Sequence, residues 1–435
     1  MTQVIIKERL MGQGKSKEMI EQINKDVDTD TSKYIIVLPY LSECHRYAGT
    51  ISEGKSQQPK KQNRKVVYTG EGCNASGRKF YHPTNFNGGK LSSLEMLIQQ
   101  GNDIVTTHAT LKNFSKETLS FIQDTPYTLV IDEELECIKQ YKGFTKTRRD
   151  MLFGKYIEVN PDTNALVWIG GDIDTPKDDW VTEIKNLCES GSLFKVEDTV
   201  FMWEYPVEFL KAFKKIIVLS YMVYGSMFWA YLKHHNIDFT IDRIPRPEKD
   251  WKSLIRILDN DKLNTVGDDY YALSSGYFKR RLKYDSRGKP IGVNTELDYG
   301  LTQIKKNTYN FFYNYCKTPS KDNMWGTLGE ARKQVSGAGY SRGHVSINCK
   351  ATNEYRHKKS LAYLYNVFMS PKEEQYVSKW EHKPREDIIA LSVLLQWVFR
   401  SQVREGKPID IYIPSSRMRR LLEAWIEDEF FYLKQ

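Results

Sequence analysis

The chain has 435 residues, enough for two or three domains with cores of their own. Its formal net charge of +9 and pI of about 8.9 favour a polyanionic partner, and 27% charged with 13% aromatic residues describes a folded chain rather than a disordered one. It holds no run of about 18 apolar residues and no charged, apolar, small-residue leader, so neither a membrane span nor a secretory signal is expected.

The first element is a short β-branched run, Val4-Ile5-Ile6. A turn, Met11-Gly12-Gln13-Gly14-Lys15-Ser16, and a helix-forming run from Lys17 follow. Strand, glycine turn, Lys-Ser and helix is the layout of a phosphate-binding loop. Glycines let backbone N–H groups close around an anion, and the helix N-terminus adds partial positive charge. Gly12, Gln13, Gly14, Lys15 and Ser16 are therefore the candidate nucleotide-binding residues. Lys15 would reach the terminal phosphates, and Ser16 would ligate Mg²⁺. Arg9 stands where the full pattern has its first glycine.

Tyr34–Leu38, closed by Pro39, reads as a buried parallel strand. The stretch from Gly54 to Lys65 carries Lys55, Lys60, Lys61, Arg64 and Lys65 without an acid between the first and last of them. It is either a solvated loop or a phosphate-backbone contact. Leu91, Leu94, Leu97 and Ile98 recur at helical spacing before Gly101. Ile104–His108 is a further strand ending in polar residues, where Thr107 and His108 would meet nucleic acid or bond within the loop.

Tyr127–Glu134 runs from strand residues straight into Asp132-Glu133-Glu134. Asp132 would hold Mg²⁺ through water, and Glu133 would polarise the attacking water as general base. Ile216–Ser220 is another strand, and Met227–His235 another helix. Between about 240 and 345 the strand–helix alternation lapses. Within it, Gly276–Tyr284, the turn Asp285-Ser-Arg-Gly288 and Ile291-Gly-Val293 read as a β-hairpin with a basic, aromatic arm. Lys279, Arg281 and Lys283 are its candidate nucleic-acid contacts. Ile304–Cys316 reads as a helix rich in Tyr and Phe, and some of that stripe must be core.

Pattern returns at Val345–Asn353, with a helix expected from about Tyr355 to Phe368. Ile388, Leu391, Leu395, Val398 and Phe399 form an apolar helical face, while Gln396, Arg400 and Arg404 share a polar one at spacing four. One such arginine, reaching across a cleft, would stabilise charge on a γ-phosphate. Ile409–Ile413 is a last strand. The six cysteines have no CxxC pair and the eight histidines no ligand spacing, which argues for reduced thiols in a cytosol and against a zinc site.

These pieces together resemble the superfamily 2 DExD/H-box helicases, most closely the helicase-like proteins of bacteriophages of Gram-positive hosts. Met11–Ser16 resembles the first helicase motif. Val37–Arg46 and Ile104–Leu111 resemble the nucleic-acid-contacting motifs of the first lobe. Asp132-Glu133-Glu134-Leu135 resembles the second motif, with Glu134 where the family has Ala. Leu219-Ser220-Tyr221 corresponds either to the Ser-Ala-Thr coupling motif or to the first strand of lobe two. Ala351-Thr352-Asn353 is similar to the fifth motif, adding Thr352 and Asn353 as nucleic-acid contacts. Gln396–Arg404 resembles the sixth, with Phe399 in place of Gly and Arg404 one residue late.

The resemblance implies an α/β fold of two RecA-like P-loop NTPase lobes, at 1–205 and 206–435, with a helical and hairpin insertion at about 240–345. It implies an ATP-dependent helicase or translocase of phage DNA replication, with ATP and Mg²⁺ as cofactors. Gln396, Arg400 and Arg404 join Lys15 and Glu133 as its catalytic set. The expected partners are single-stranded or forked DNA and other phage replication proteins, with no membrane. The expected place is the cytoplasm of an infected bacterial host. The alternatives are a terminase-like packaging ATPase, which would need a carboxylate cluster around Asp410 or Glu427–Glu429, and a nucleotide-gated DNA-binding or loading protein.

Overall fold

The structure is a computed structural model that describes residues 2–25, 33–48, 50–52, 66–68, 78–83, 90–112, 114, 116–171, 176, 178–349 and 354–429. The basic stretch 54–65, Cys73, Thr352 and Asn353 lie outside the described residues.

The fold is α/β with parallel sheets. The first sheet is built from β1 (Gln3–Glu8), β2 (Lys33–Leu38), β3 (Phe80–Tyr81), β4 (Asp103–Thr107), β5 (Tyr127–Asp132), β6 (Lys215–Ser220) and β7 (Phe239–Arg243). Their spatial order is β7-β1-β6-β5-β2-β4-β3, and every pairing is parallel. The central strands are continuous apolar runs because both faces are covered; all six residues of β5 are buried. Met19 and Ile23 of the helix Lys15–Lys25 pack on one face with Ile36, Val130 and Ile217. The other face belongs to a larger core that includes Ile6, Ile35, Leu129 and Val218.

The second sheet has β8 (Ile255–Ile257), β9 (Asn323–Thr327), β10 (Ser360–Leu364) and β11 (Ile409–Tyr412) in the order β8-β11-β10-β9, again parallel throughout. The helices Glu386–Val398 and Ser416–Ile426 cover one face, with Leu391, Leu395, Trp397, Leu422 and Trp425 in its core. Leu10, Tyr221 and Met222, from the loops that leave β1 and β6, are part of that same core. The two sheets thus share an apolar joint. A second contact is made by the helix Pro371–Val377, where Tyr376 Oη donates to Glu204 Oε2 at 2.6 Å and Gln375 Nε2 to Glu197 Oε1 at 2.8 Å.

Four expectations change. The division at residue 205 does not follow the sheets, because β6 and β7 pair with β1 in the first sheet. Leu219-Ser220-Tyr221 therefore ends a strand of the first sheet, between β1 and β5. The stretch 240–345 is not one insertion, since β8 and β9 within it are strands of the second sheet. No helix forms over 355–368; a turn at 354–357 leads into β10 at 360–364, buried at every position, and so short a buried run carries no period to tell strand from helix. The basic arm begins as the helix Ser275–Arg281, started by the Ser274 hydroxyl accepting from Tyr277 N at 3.2 Å, and only Leu282–Tyr284 and Pro290–Val293 form a hairpin.

The helix rich in Tyr and Phe is present as Asp298–Asn310, continued by a π-helical turn, Phe311–Cys316. The five cysteines among the described residues are free thiols. No helix among the described residues is long and apolar enough to cross a membrane.

Candidate functional site

β1 ends at Glu8, and the loop that follows brings Gly12 and Gly14 into the left-handed region, with φ of +89° and +84°. Only glycine takes these angles without strain. The helix then starts at Lys15, earlier than its sequence pattern suggested. Arg9, at the position of the missing glycine, turns its guanidinium away from the loop. It donates to Asp242 Oδ2 at 2.8 Å and lies 3.7 Å from Glu18. The loop is therefore not filled by this side chain. Gln13 also faces away: it accepts from Leu10 N at 2.6 Å and donates to Pro245 O at 3.3 Å.

Lys15, Ser16, Asp132 and Glu133 meet in one cleft, whose far wall is Ser392, Gln396, Arg400 and Arg404. Ser16 Oγ donates to Asp132 Oδ2 at 3.2 Å, and Lys15 Nζ donates to Arg9 O at 2.7 Å. Burial lowers the Lys15 ammonium to about 8, against the pull of Asp132 and Glu133. Burial and then the Glu133 charge raise Asp132 to about 6, opposed by Lys15 and the Ser16 hydrogen bond. Two charges poorly served by water and facing one another suit a ligand that brings both an anion and a cation.

Glu133 has φ of +68°, and its N–H donates to Leu219 O at 3.0 Å. This strained turn at the end of β5 delivers its carboxylate to Arg400, with Nη2 to Oε1 at 3.5 Å. Arg400 is buried, and its Nε has no hydrogen-bond partner among the described residues. Arg400 lines the cleft, and its guanidinium is suited to an incoming phosphate oxygen. Glu134 accepts from the Ser220 hydroxyl at 2.6 Å, which ties the Asp-Glu turn to the end of β6; burial raises it to about 7.

Gln396, Arg400 and Arg404 do not share the face of one helix that their spacing of four predicts. The helix ends at Val398, Arg400 lies in the turn after it, and Arg404 sits in a short 3₁₀ segment, Gln402–Glu405. All three still line the cleft. Phe399, in the place of the sixth motif's glycine, packs between Trp251 and Trp425, with each ring pair at 5.9 Å.

Other candidates are elsewhere. His108 Nε2 contacts Asp132 O at 2.8 Å, and Thr107 Oγ1 lies 3.4 Å from Thr110 Oγ1, so both sit beside the cleft without lining it. Lys279 and Lys283 are exposed on the arm, whereas Arg281 lies over the Tyr277 ring at 3.5 Å and donates to Tyr277 O. Of the carboxylates a nuclease would need, Asp410 pairs with Arg256 at 2.8 Å and Asp428 with Arg246 at 3.5 Å. No group of three or more His, Cys, Asp or Glu side chains suited to a metal occurs among the described residues. Glu43 and Ser392 line the cleft and were not anticipated. Ser392 could have been found, since it precedes Gln396 by one helical turn.

Residues 249–426 match the model of the YonV C-terminal Rossmann-like domain. The chain is 30% identical over 450 residues to the SPbeta prophage-derived uncharacterized protein YonV of Bacillus subtilis (strain 168), covering 99% of this chain and 100% of that protein. Among solved structures it is similar to the DUF1998 helicase MrfA bound to DNA and AMPPNP, with a TM-score of 0.36 and 10% identity over 99% of this chain and 48% of that one. A second structure of MrfA gives a TM-score of 0.30 and 9% identity, covering 99% of this chain and 49% of that one. The chain thus spans about half the length of that helicase. It belongs to the family of the prophage protein YonV.

Proposed function

We propose that this protein hydrolyses ATP between two RecA-like lobes and uses the cycle to move along, or unwind, phage DNA. The first lobe would run to β7 and the second from β8. The observation that carries this reading is the convergence of Lys15, Ser16, Asp132 and Glu133 from one sheet with Gln396, Arg400 and Arg404 from the other half of the chain. A cleft built from both halves has its chemistry completed only when they are together. This is what couples hydrolysis to movement of the lobes.

The residues fit a nucleotide with Mg²⁺. The Gly12–Gly14 backbone and Lys15 would hold the phosphates, and Ser16 with Asp132 would hold the ion, leaving further coordination to phosphate and water. The ion would neutralise charge on the transferring phosphoryl group. Glu133 would accept the proton of the attacking water, and Arg400 would stabilise the charge that develops opposite it. The prophage origin of the relative supports a role in phage DNA metabolism; replication, with other phage proteins in the host cytoplasm, is the specific form we favour.

The test is ATP turnover by the purified chain with and without single-stranded DNA, beside Lys15→Ala. Turnover that rises with DNA and disappears in the variant is expected. Turnover that persists at the normal rate in Lys15→Ala would remove the nucleotide assignment. Nucleotide binding without turnover would favour a loading protein instead.

A further inference from the structure

We propose that an exposed tyrosine stripe on the helix Asp298–Asn310 and its π-helical continuation is a stacking platform for single-stranded DNA. The inference rests on the reading that this protein acts on DNA, and names a surface for it that lies outside the cleft.

In the sequence from Tyr299 to Cys316, positions 299, 306, 309 and 313 fall on one side of a helix, and they are Tyr, Lys, Tyr and Tyr. The opposite side is the part that serves the core: Leu301, Ile304, Phe311 and Phe312 are buried. Tyr299, Tyr309 and Tyr313 are 80%, 39% and 66% exposed. Aromatic residues usually lose most of their surface on folding, so three on one side of one helix is a departure that packing does not explain. Tyr309 and Tyr313 are already parallel to one another, with ring centroids 5.2 Å apart and an interplanar angle of 14°. The pair presents a flat, pre-ordered aromatic face, and Tyr299 presents another about 15 Å along the axis.

Along the stripe itself the charge is of one sign, with the acids Glu296 and Asp298 lying just before its first tyrosine. Lys305 and Lys306 are exposed between the tyrosines, and no acid occurs from Tyr299 to Cys316. At the other end, Gly300 lies so close to the preceding helix that an added Cβ would fall 2.2 Å from Tyr277 Oη and 3.0 Å from Arg281 Nε. That contact seats the stripe beside the helix Ser275–Arg281, whose Lys279 and Arg280 are exposed, and beside Lys283 on the hairpin. Cations at intervals with flat rings between them match an unpaired strand, which offers phosphates and uncovered base faces together. A duplex would hide its base faces, and a protein partner would be expected to meet a contiguous apolar patch rather than rings separated by lysines.

The test is the affinity of the full chain for a fluorescent oligothymidylate, read by anisotropy over a range of salt. Wild type is compared with Tyr309→Ala/Tyr313→Ala and with Tyr309→Phe/Tyr313→Phe. The alanine pair should bind roughly tenfold or more weakly, and the phenylalanine pair within about twofold of wild type, because stacking needs the ring and not the hydroxyl. The slope of affinity against salt should be unchanged, since no phosphate contact is removed. ATP turnover without DNA should equal that of wild type.

Equal binding by wild type and the alanine pair would overturn the platform while leaving the DNA reading in place. So would a phenylalanine pair as weak as the alanine pair. A change in sedimentation of the alanine pair with unchanged DNA affinity would assign the stripe to a second copy of the chain. A wild-type chain that does not bind the oligonucleotide at all would overturn both readings.

Discussion

Arg404 lies across the backbone of Gly12, so close that a Cβ added at Gly12 would sit 3.0 Å from Arg404 Cγ. An arginine late in the chain thus touches the glycine turn that is expected to hold phosphate. Gly12→Ala should act in two ways. The left-handed φ of +89° costs an alanine on the order of 1–2 kcal/mol, and the new methyl displaces Arg404. If the displacement matters, the effects of Gly12→Ala and Arg404→Ala on kcat/KM for ATP will not add. A double-mutant cycle should show a coupling of about 0.5–3 kcal/mol. Strict additivity would mean that the contact has no part in turnover.

Arg400 and Glu133 face each other at 3.5 Å, and their variants should fail differently. Arg400→Ala should bind ATP almost normally and hydrolyse it more slowly by a factor of roughly 10³ or more. Glu133→Gln should retain ATP on the protein, which filter binding of labelled nucleotide would detect. Arg404→Ala should be the milder arginine variant. A more damaging Arg404→Ala would exchange the roles of the two arginines.

The glycine turn and the Asp-Glu turn are legible in the sequence because each is a local pattern. A glycine turn before Lys-Ser and a strand running into acids each sit within about ten residues. Neighbour order in a parallel sheet leaves no such mark. Nothing in Lys215–Ser220 says that it lies between β1 and β5, and its position in the chain points to the second half instead. Ser360–Leu364 does not announce a strand, because a strand buried on both faces has no alternation to show. The Ser274 cap before a basic run was a visible signal for a helix at 275–281, but charge and aromatic content outweighed it in the reading as a hairpin. The helix stops at Val398, which the spacing of Gln396, Arg400 and Arg404 does not show, and the turn that follows keeps all three on one wall of the cleft.

Tyr376 and His235 meet on one buried carboxylate, that of Glu204. The hydroxyl of Tyr376 reaches it from the second half of the chain, so this bond helps hold the helix Pro371–Val377 to the first. Tyr376→Phe keeps the ring and removes the donor. It should lower stability by about 1–3 kcal/mol, because Glu204 is then left buried with one partner fewer. The urea midpoint of the purified variant would measure this. An unchanged midpoint would mean that water replaces the hydroxyl.

Lys15 and Asp132 should make the nucleotide-free protein least favoured near neutrality. The folded pKa of Lys15 is lowered from 10.5 to about 8, so its penalty is absent well above pH 10.5 and complete below about pH 8. The folded pKa of Asp132 is raised from 3.8 to about 6, so its penalty is absent well below pH 3.8 and complete above about pH 6. Between about pH 6 and pH 8 both are in force. Lys15→Met should therefore stabilise the nucleotide-free chain at pH 7 by on the order of 1–3 kcal/mol, the lower end reflecting the cation that Asp132 loses. The gain should shrink as pH rises from about 8 through 10.5, where the wild-type lysine becomes neutral in both states. Thermal unfolding of the two proteins across this range, without nucleotide, would show it. A variant less stable than wild type at pH 7 would mean that the attraction of Asp132 and Glu133 for Lys15 outweighs the cost of burying it.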